Sequence, residues 1–239
     1  LAIFTFPFLI FDNSINLSQI GLFELGLFGL MIFLAGSWNI LYYRSIKNDS
    51  VQEFEPILML SPLIVILITP LFYPQEASKI IFFLAVIAGF SLVFSHLEQD
   101  HLKFSKDSLG LLLAMILMSL EIIIIRELLF VFSPASLYFF RCFSLLIVYL
   151  IIYRKTVVSV NQVSYLPVAL TSLLGVAQML LSFYGYQKAG LVFTTLILIV
   201  APILVYLYCF LVLKEELKPK KIVGAIIILA CVSAAYLLN

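Results

Sequence analysis

Apolar residues in this chain gather into long runs separated by short polar connectors. The runs cover approximately 20–43, 56–73, 78–95, 109–132, 135–153, 163–187, 191–213 and 222–238, with a partial one at 1–11. A helix of about 20 mostly apolar residues crosses a bilayer, so each full run predicts a membrane span. Run 78–95 is among the shortest, with Lys79 reaching the interface. The connectors Asp12–Ser18, Arg44–Glu55, Pro74–Ala77, His96–Asp107, Arg154–Gln162 and Lys214–Lys221 hold no soluble domain. Backbone amides in hydrocarbon must pair within the protein, which makes helices the spanning form for runs this long. The predicted fold class is an all-α polytopic membrane bundle.

One stretch of the pattern occurs twice. Ile57-Leu58-Met59-Leu60-Ser61-Pro62-Leu63-Ile64-Val65 aligns with Ile197-Leu198-Ile199-Val200-Ala201-Pro202-Ile203-Leu204-Val205 at an offset of 140 residues, and Glu76 and Glu216 each follow the proline by fourteen. Repeats with proline-interrupted membrane helices at corresponding positions point to a secondary transporter. The offset maps Leu1 onto Arg141, leaving Asp107–Phe140 without a counterpart. The expectation is therefore an N-terminal truncation of about 34 residues or more. The whole would be two five-helix bundles, ten helices, of which about eight and a half are present: 1–100 as the first repeat and 101–239 as the complete second. An odd number of helices per repeat makes the two copies inverted in the membrane.

Composition agrees. Hydrophobic residues make up 64% of the chain, charged residues 11%, and the mean hydropathy is +1.17. Soluble domains carry about 25% charged residues, so this surface cannot be solvated by water. A net charge of +1 gives no basis for a nucleic-acid partner. Ten of the fourteen Lys and Arg lie in one alternating set of loops, at Arg44, Lys47, Lys103, Lys106, Arg154, Lys155, Lys214, Lys218, Lys220 and Lys221. The positive-inside rule puts that set in the cytoplasm and the C-terminus outside. Cys142, Cys209 and Cys231 all fall inside apolar runs and make neither a disulfide framework nor a metal site.

Several elements resemble the drug/metabolite transporter superfamily, specifically its EamA-type ten-helix members. They are the mid-helix Ala201-Pro202, Glu215-Glu216, Gly224 nine residues after Glu215, and the small-residue helix Gly224-Ala225, Ala230-Cys231, Ala234-Ala235. Ser133-Pro134-Ala135-Ser136 leading to Arg141 fits the start of the second helix of a repeat. The resemblance implies export of a small organic metabolite, amino-acid-like or related, by alternating access across the cytoplasmic membrane. It implies small-molecule solute and membrane lipid as partners, a homodimer as one assembly, no cofactor and no enzyme activity.

Candidate site residues follow from the cost of polar groups in lipid. Pro62 and Pro202 each leave a carbonyl without its helical donor. Glu121 is a carboxylate inside an apolar run, suited to titrating or to holding a substrate cation; its structural alternative is a pairing with arginine. Arg141 is the candidate gate or contact for an anionic group. Trp38, Asn39, Gln178 and Tyr184 could line the same cavity as an aromatic box with amides, or form an interfacial belt. Ser37, Tyr42, Ser182, Tyr186 and Gln187 accompany them. His96-Leu97-Glu98-Gln99-Asp100-His101 reads as a solvated connector, not a metal site, and no phosphate cradle, metal-protease motif or nucleophile elbow is present. A flippase for a lipid-linked substrate is the competing reading, with Arg126 and Arg141 as its outer-side basic residues.

Overall fold

The computed structural model describes residues 5–7, 21–46, 57–76, 78–96, 106–154, 165–214 and 219–238. These are helical almost throughout, with no strand among them. In chain order the helices are α1 (Leu22–Ile46), α2 (Leu60–Phe72), α3 (Lys79–His96), α4 (Lys106–Leu128), α5 (Pro134–Ile152), α6 (Tyr165–Ala189), α7 (Leu191–Leu198), α8 (Ala201–Tyr208) and α9 (Pro219–Leu238). A 3-10 turn, Pro74–Glu76, follows α2, and α8 widens into a π-helical segment at Cys209–Leu213. Among the described residues α1, α4, α5, α6 and α9 are long and apolar enough to cross a bilayer. Their exposed faces stay apolar, with Leu22 of α1, Leu181 of α6 and Leu237 of α9 each at least 72% exposed. That surface suits hydrocarbon and not water, so the chain is an all-α membrane protein.

Two of the shorter apolar segments are broken, while α3 is continuous. α2 is preceded by a helical pair, Ile57 and Leu58, and a turn at Met59; α7 and α8 are separated by a turn at Ile199 and Val200. The two breaks correspond at the 140-residue offset, each just before a Ser-Pro or Ala-Pro step. The cause is local. Pro202 offers no amide hydrogen, and the amide of Val200 turns to the Ile197 carbonyl at 3.0 Å, tightening the chain before α8 begins. α3 and α9 also start 140 residues apart, at Lys79 and Pro219. Residue 216 and the connector 97–101 lie outside the described residues.

Contacts divide the chain into two units, each drawing on both halves of the sequence: Leu1–Gly36 with Ile124–Lys188, and Ser37–Ile123 with Ala189–Asn239. In the first unit, Tyr138 of α5 and Phe183 of α6 meet edge-on with ring centroids 5.6 Å apart, and both are buried. α4 ends at a turn earlier than its apolar run, because Ser133 caps α5, its Oγ accepting from the Ser136 amide at 3.1 Å, with Pro134 at the first helical position.

The second unit holds α2, α3, α7, α8 and α9, with the end of α1 and most of α4. Ile66 of α2, Ala85, Ala88 and Leu92 of α3, Leu196 of α7 and Cys231 and Ala235 of α9 form one buried cluster. Small residues bring α3 and α9 close, as membrane helices without a hydrophobic drive between them require. Ser91 Oγ donates to the Gly224 carbonyl at 3.4 Å. Cys142 and Cys231 are buried and not disulfide-bonded.

Candidate functional site

Glu121 sits in α4 with 2% of its surface exposed. Leu120 and Ile122 flank it in the sequence, inside the apolar span of α4. A carboxylate so placed must be hydrogen-bonded. One donor comes from α1: Trp38 Nε1 donates to Glu121 Oε2 at 2.6 Å. The Trp38 ring meets Tyr42 edge-on, 6.3 Å between centroids, one turn along the same helix. Both rings rest on a small apolar cluster of Ile57, Leu111, Ala114 and Met115, which fixes the indole's direction.

Two residues before Glu121, Ser119 ties α4 to the break in α2. Its Oγ lies 2.8 Å from the Met115 carbonyl and 3.3 Å from the Ser61 carbonyl, beside Pro62. Thus Trp38, Glu121 and the backbone at Pro62 are joined through α1, α4 and α2 within one unit. Asn39 is half-buried next to Trp38, and Pro202 is half-buried at the start of α8.

The remaining candidates lie in the other unit. Leu174, Gln178, Leu181 and Tyr184 recur at helical spacing on α6, and all four are exposed. Gln178 and Tyr184 therefore share an exposed stripe of α6, while Ser182, Phe183 and Tyr186 take the buried side. Gln187 is committed elsewhere, its Nε2 donating to the Leu129 carbonyl at 2.8 Å just past the end of α4. Arg141 is buried in α5. Arg126 places its guanidinium 4.4 Å from the Phe130 ring centroid, a cation–π contact one turn away.

Glu76, read in the sequence only as a repeat marker, has a defined structural task. Gly190, the N-cap of α7, has no side chain to cap with, and Glu76 Oε2 accepts from the Leu191 amide at 2.6 Å instead. Gly190 has φ +82°, and a Cβ there would stand 2.8 Å from Glu76 Oε2. Glycine is demanded twice, by backbone and by space. Replacing Glu76 by Ala orphans a helix-terminal amide, with an expected loss of about 1–3 kcal/mol. Thermal unfolding in detergent measures it, and Gly190→Ala should lower stability in the same sense. An unchanged midpoint for both variants would remove the clasp from the account.

Groups of three or more His, Cys, Asp or Glu that could hold a metal are absent among the described residues. The arrangement offers a buried, hydrogen-bonded carboxylate beside an aromatic pair and a broken helix, chemistry for binding rather than for bond making.

Residues 106–237 match the family model of the EamA-like transporter family. The chain belongs to that family, within the drug/metabolite transporter superfamily, and is an integral membrane transporter of small solutes. No protein of curated function matches it. A protein of known crystal structure is similar in fold, with a TM-score of 0.64 at 13% identity over 100% of this chain and 96% of that one.

Proposed function

We propose that this protein is a secondary active exporter of a small amino-acid-like metabolite in the cytoplasmic membrane, working by alternating access with its C-terminus outside. The observation that carries the reading is the burial of Glu121 among the apolar residues of a membrane span, held at 2.6 Å by Trp38. Charge at such depth is expensive and marks solute or proton paths. A carboxylate that takes a proton, or the ammonium group of a solute, in exchange for the indole hydrogen bond has two states of different charge. Such a group links solute binding to a gradient. Asn39, Pro62 and Pro202 complete the polar wall in this reading, with Arg141 as a contact for an anionic group; Gln178 and Tyr184 have no part in it. Residues 1–100 and 101–239 act as the inverted copies, an assignment supported by the matched breaks at Met59 and Ile199–Val200 and the matched starts of α3 and α9.

Flux measurements test it. Proteoliposomes loaded with a labelled amino-acid mixture should lose label faster when the bath is acidified, and protein-free vesicles should not. Absence of gradient-stimulated efflux for every amino acid overturns the substrate class. Transfer of a lipid-linked sugar between leaflets, without flux of soluble solute, would install the flippase reading in its place.

A further inference from the structure

α7 presents three faces, and the third differs from the other two in carrying buried hydroxyls. Val192, Leu196 and Ile199 pack into the buried cluster of the second unit. Phe193 and Ile197 line an open groove of about 430 Å³ with Val232, Ser233, Tyr236 and Leu237 of α9. The third face carries Leu191, Thr194, Thr195 and Leu198, spaced three, four and seven along the helix. Leu191 is fully buried yet not part of that cluster, so this face turns in a different direction.

Thr194 and Thr195 are 6% and 4% exposed, and neither Oγ1 has a hydrogen-bond partner among the described residues. This is unusual. A helical threonine ordinarily turns its hydroxyl back to a carbonyl one turn earlier, as Thr69 does to Val65 at 2.6 Å and Thr171 to Pro167 at 2.8 Å. Two adjacent hydroxyls buried without a bond are destabilising, and valine would fill the same space without the penalty. Four residues past Leu198, beyond the break, Pro202 has no hydrogen to give the Leu198 carbonyl.

We propose that this face of α7 lines the solute path and that the hydroxyls of Thr194 and Thr195 hydrogen-bond the transported molecule, closed over in the present conformation. A hydroxyl both donates and accepts, so the group recognised is an uncharged hydrogen-bonding one, such as an amide, a hydroxyl or the neutral part of an amino acid. The proposal rests on the transporter reading above and adds residues that it does not contain.

Cysteine accessibility tests the face without knowledge of the solute. In a background with Cys142, Cys209 and Cys231 replaced by Ala, Thr194→Cys or Thr195→Cys should react in membranes with trimethylammoniumethyl methanethiosulfonate, a charged reagent that travels through water. Ile197→Cys, on the groove side of the same helix, should react much more slowly. In the native background, Thr194→Val with Thr195→Val should leave the unfolding midpoint unchanged or raised. The same double variant should increase the half-saturation concentration for the amino-acid mixture about tenfold or more, the scale of a lost hydrogen bond. The corresponding serine variants should restore it. If neither cysteine outpaces Ile197→Cys, or if the double valine protein transports with wild-type kinetics, the proposal is overturned. Should the wild type move no amino acid at all, the substrate class proposed above fails, while the labelling rates still decide whether this face meets water.

Discussion

Glu121→Gln is expected to abolish the response of solute flux to an imposed pH gradient. Glutamine keeps the length of the side chain and an oxygen able to accept the Trp38 hydrogen bond now made at 2.6 Å. What it removes is the capacity to carry a proton or to pair with a solute cation. Loss of a charged contact at a buried site corresponds to about 10–100-fold in binding or rate, so gradient-stimulated efflux should fall to near the background of protein-free vesicles. Trp38→Phe is the graded partner of this experiment. It retains an aromatic ring against Tyr42 and deletes one donor to the carboxylate, with an expected loss of about tenfold. Counterflow, which needs no gradient, separates the roles. A coupling carboxylate leaves exchange running in Glu121→Gln, whereas a substrate-binding one silences exchange as well. Full gradient-driven flux in Glu121→Gln would remove this residue from the mechanism.

The second large effect is expected at the α3–α9 crossing. A Cβ at Gly224 would stand 2.7 Å from Ser95 Cβ and 3.4 Å from the Ser91 carbonyl oxygen, atoms at or beside the backbone that cannot step aside. Gly224→Val should push the helices apart at a cost of about 1–3 kcal/mol or more, seen as loss of folded protein in membranes and a lower unfolding midpoint. Two other glycines calibrate the result. At Gly89 the nearest atom is the Leu63 Cδ1 at 2.9 Å, the end of a flexible side chain, so Gly89→Ala should cost less. At Gly29 nothing lies within 4 Å, and Gly29→Ala should be neutral or slightly stabilising, since glycine is the poorer helix former. Equal effects at all three positions would refute close packing as the reason for Gly224.

Much of the architecture could be read in the one-dimensional pattern. Runs 78–95 and 163–187 fall within two residues of α3 and α6 at both ends, because in lipid the helix must satisfy its own backbone and hydropathy alone marks its limits. The breaks at Met59 and Ile199–Val200 were visible as prolines, whose missing amide hydrogen acts locally. The end of α4 was harder. Residues 129–132 are as apolar as the helix before them, and only the Ser133-Pro134 cap fixes where the next helix begins. Gln178 and Tyr184 show the same difficulty from the other side. Their polar character fitted a cavity wall or an interfacial belt alike, and the structure shows them on one exposed stripe of α6 with Leu174 and Leu181.

The amino-acid order alone determined the membrane class, most helix positions and the doubled proline segment, since each depends on hydrocarbon length and on backbone groups within a few residues. It could not determine direction around each helix axis, because lipid and protein interior are nearly equally apolar and leave little difference between a helix's faces. Tertiary packing decided that direction. It set Trp38 against Glu121 across 83 residues, and closed the start of α7 with Glu76 from 115 residues away. It also buried Thr194 and Thr195 on a face that hydropathy had given no reason to notice. In each case a polar group deprived of water had its surroundings chosen by the fold, at distances along the chain that no local pattern spans.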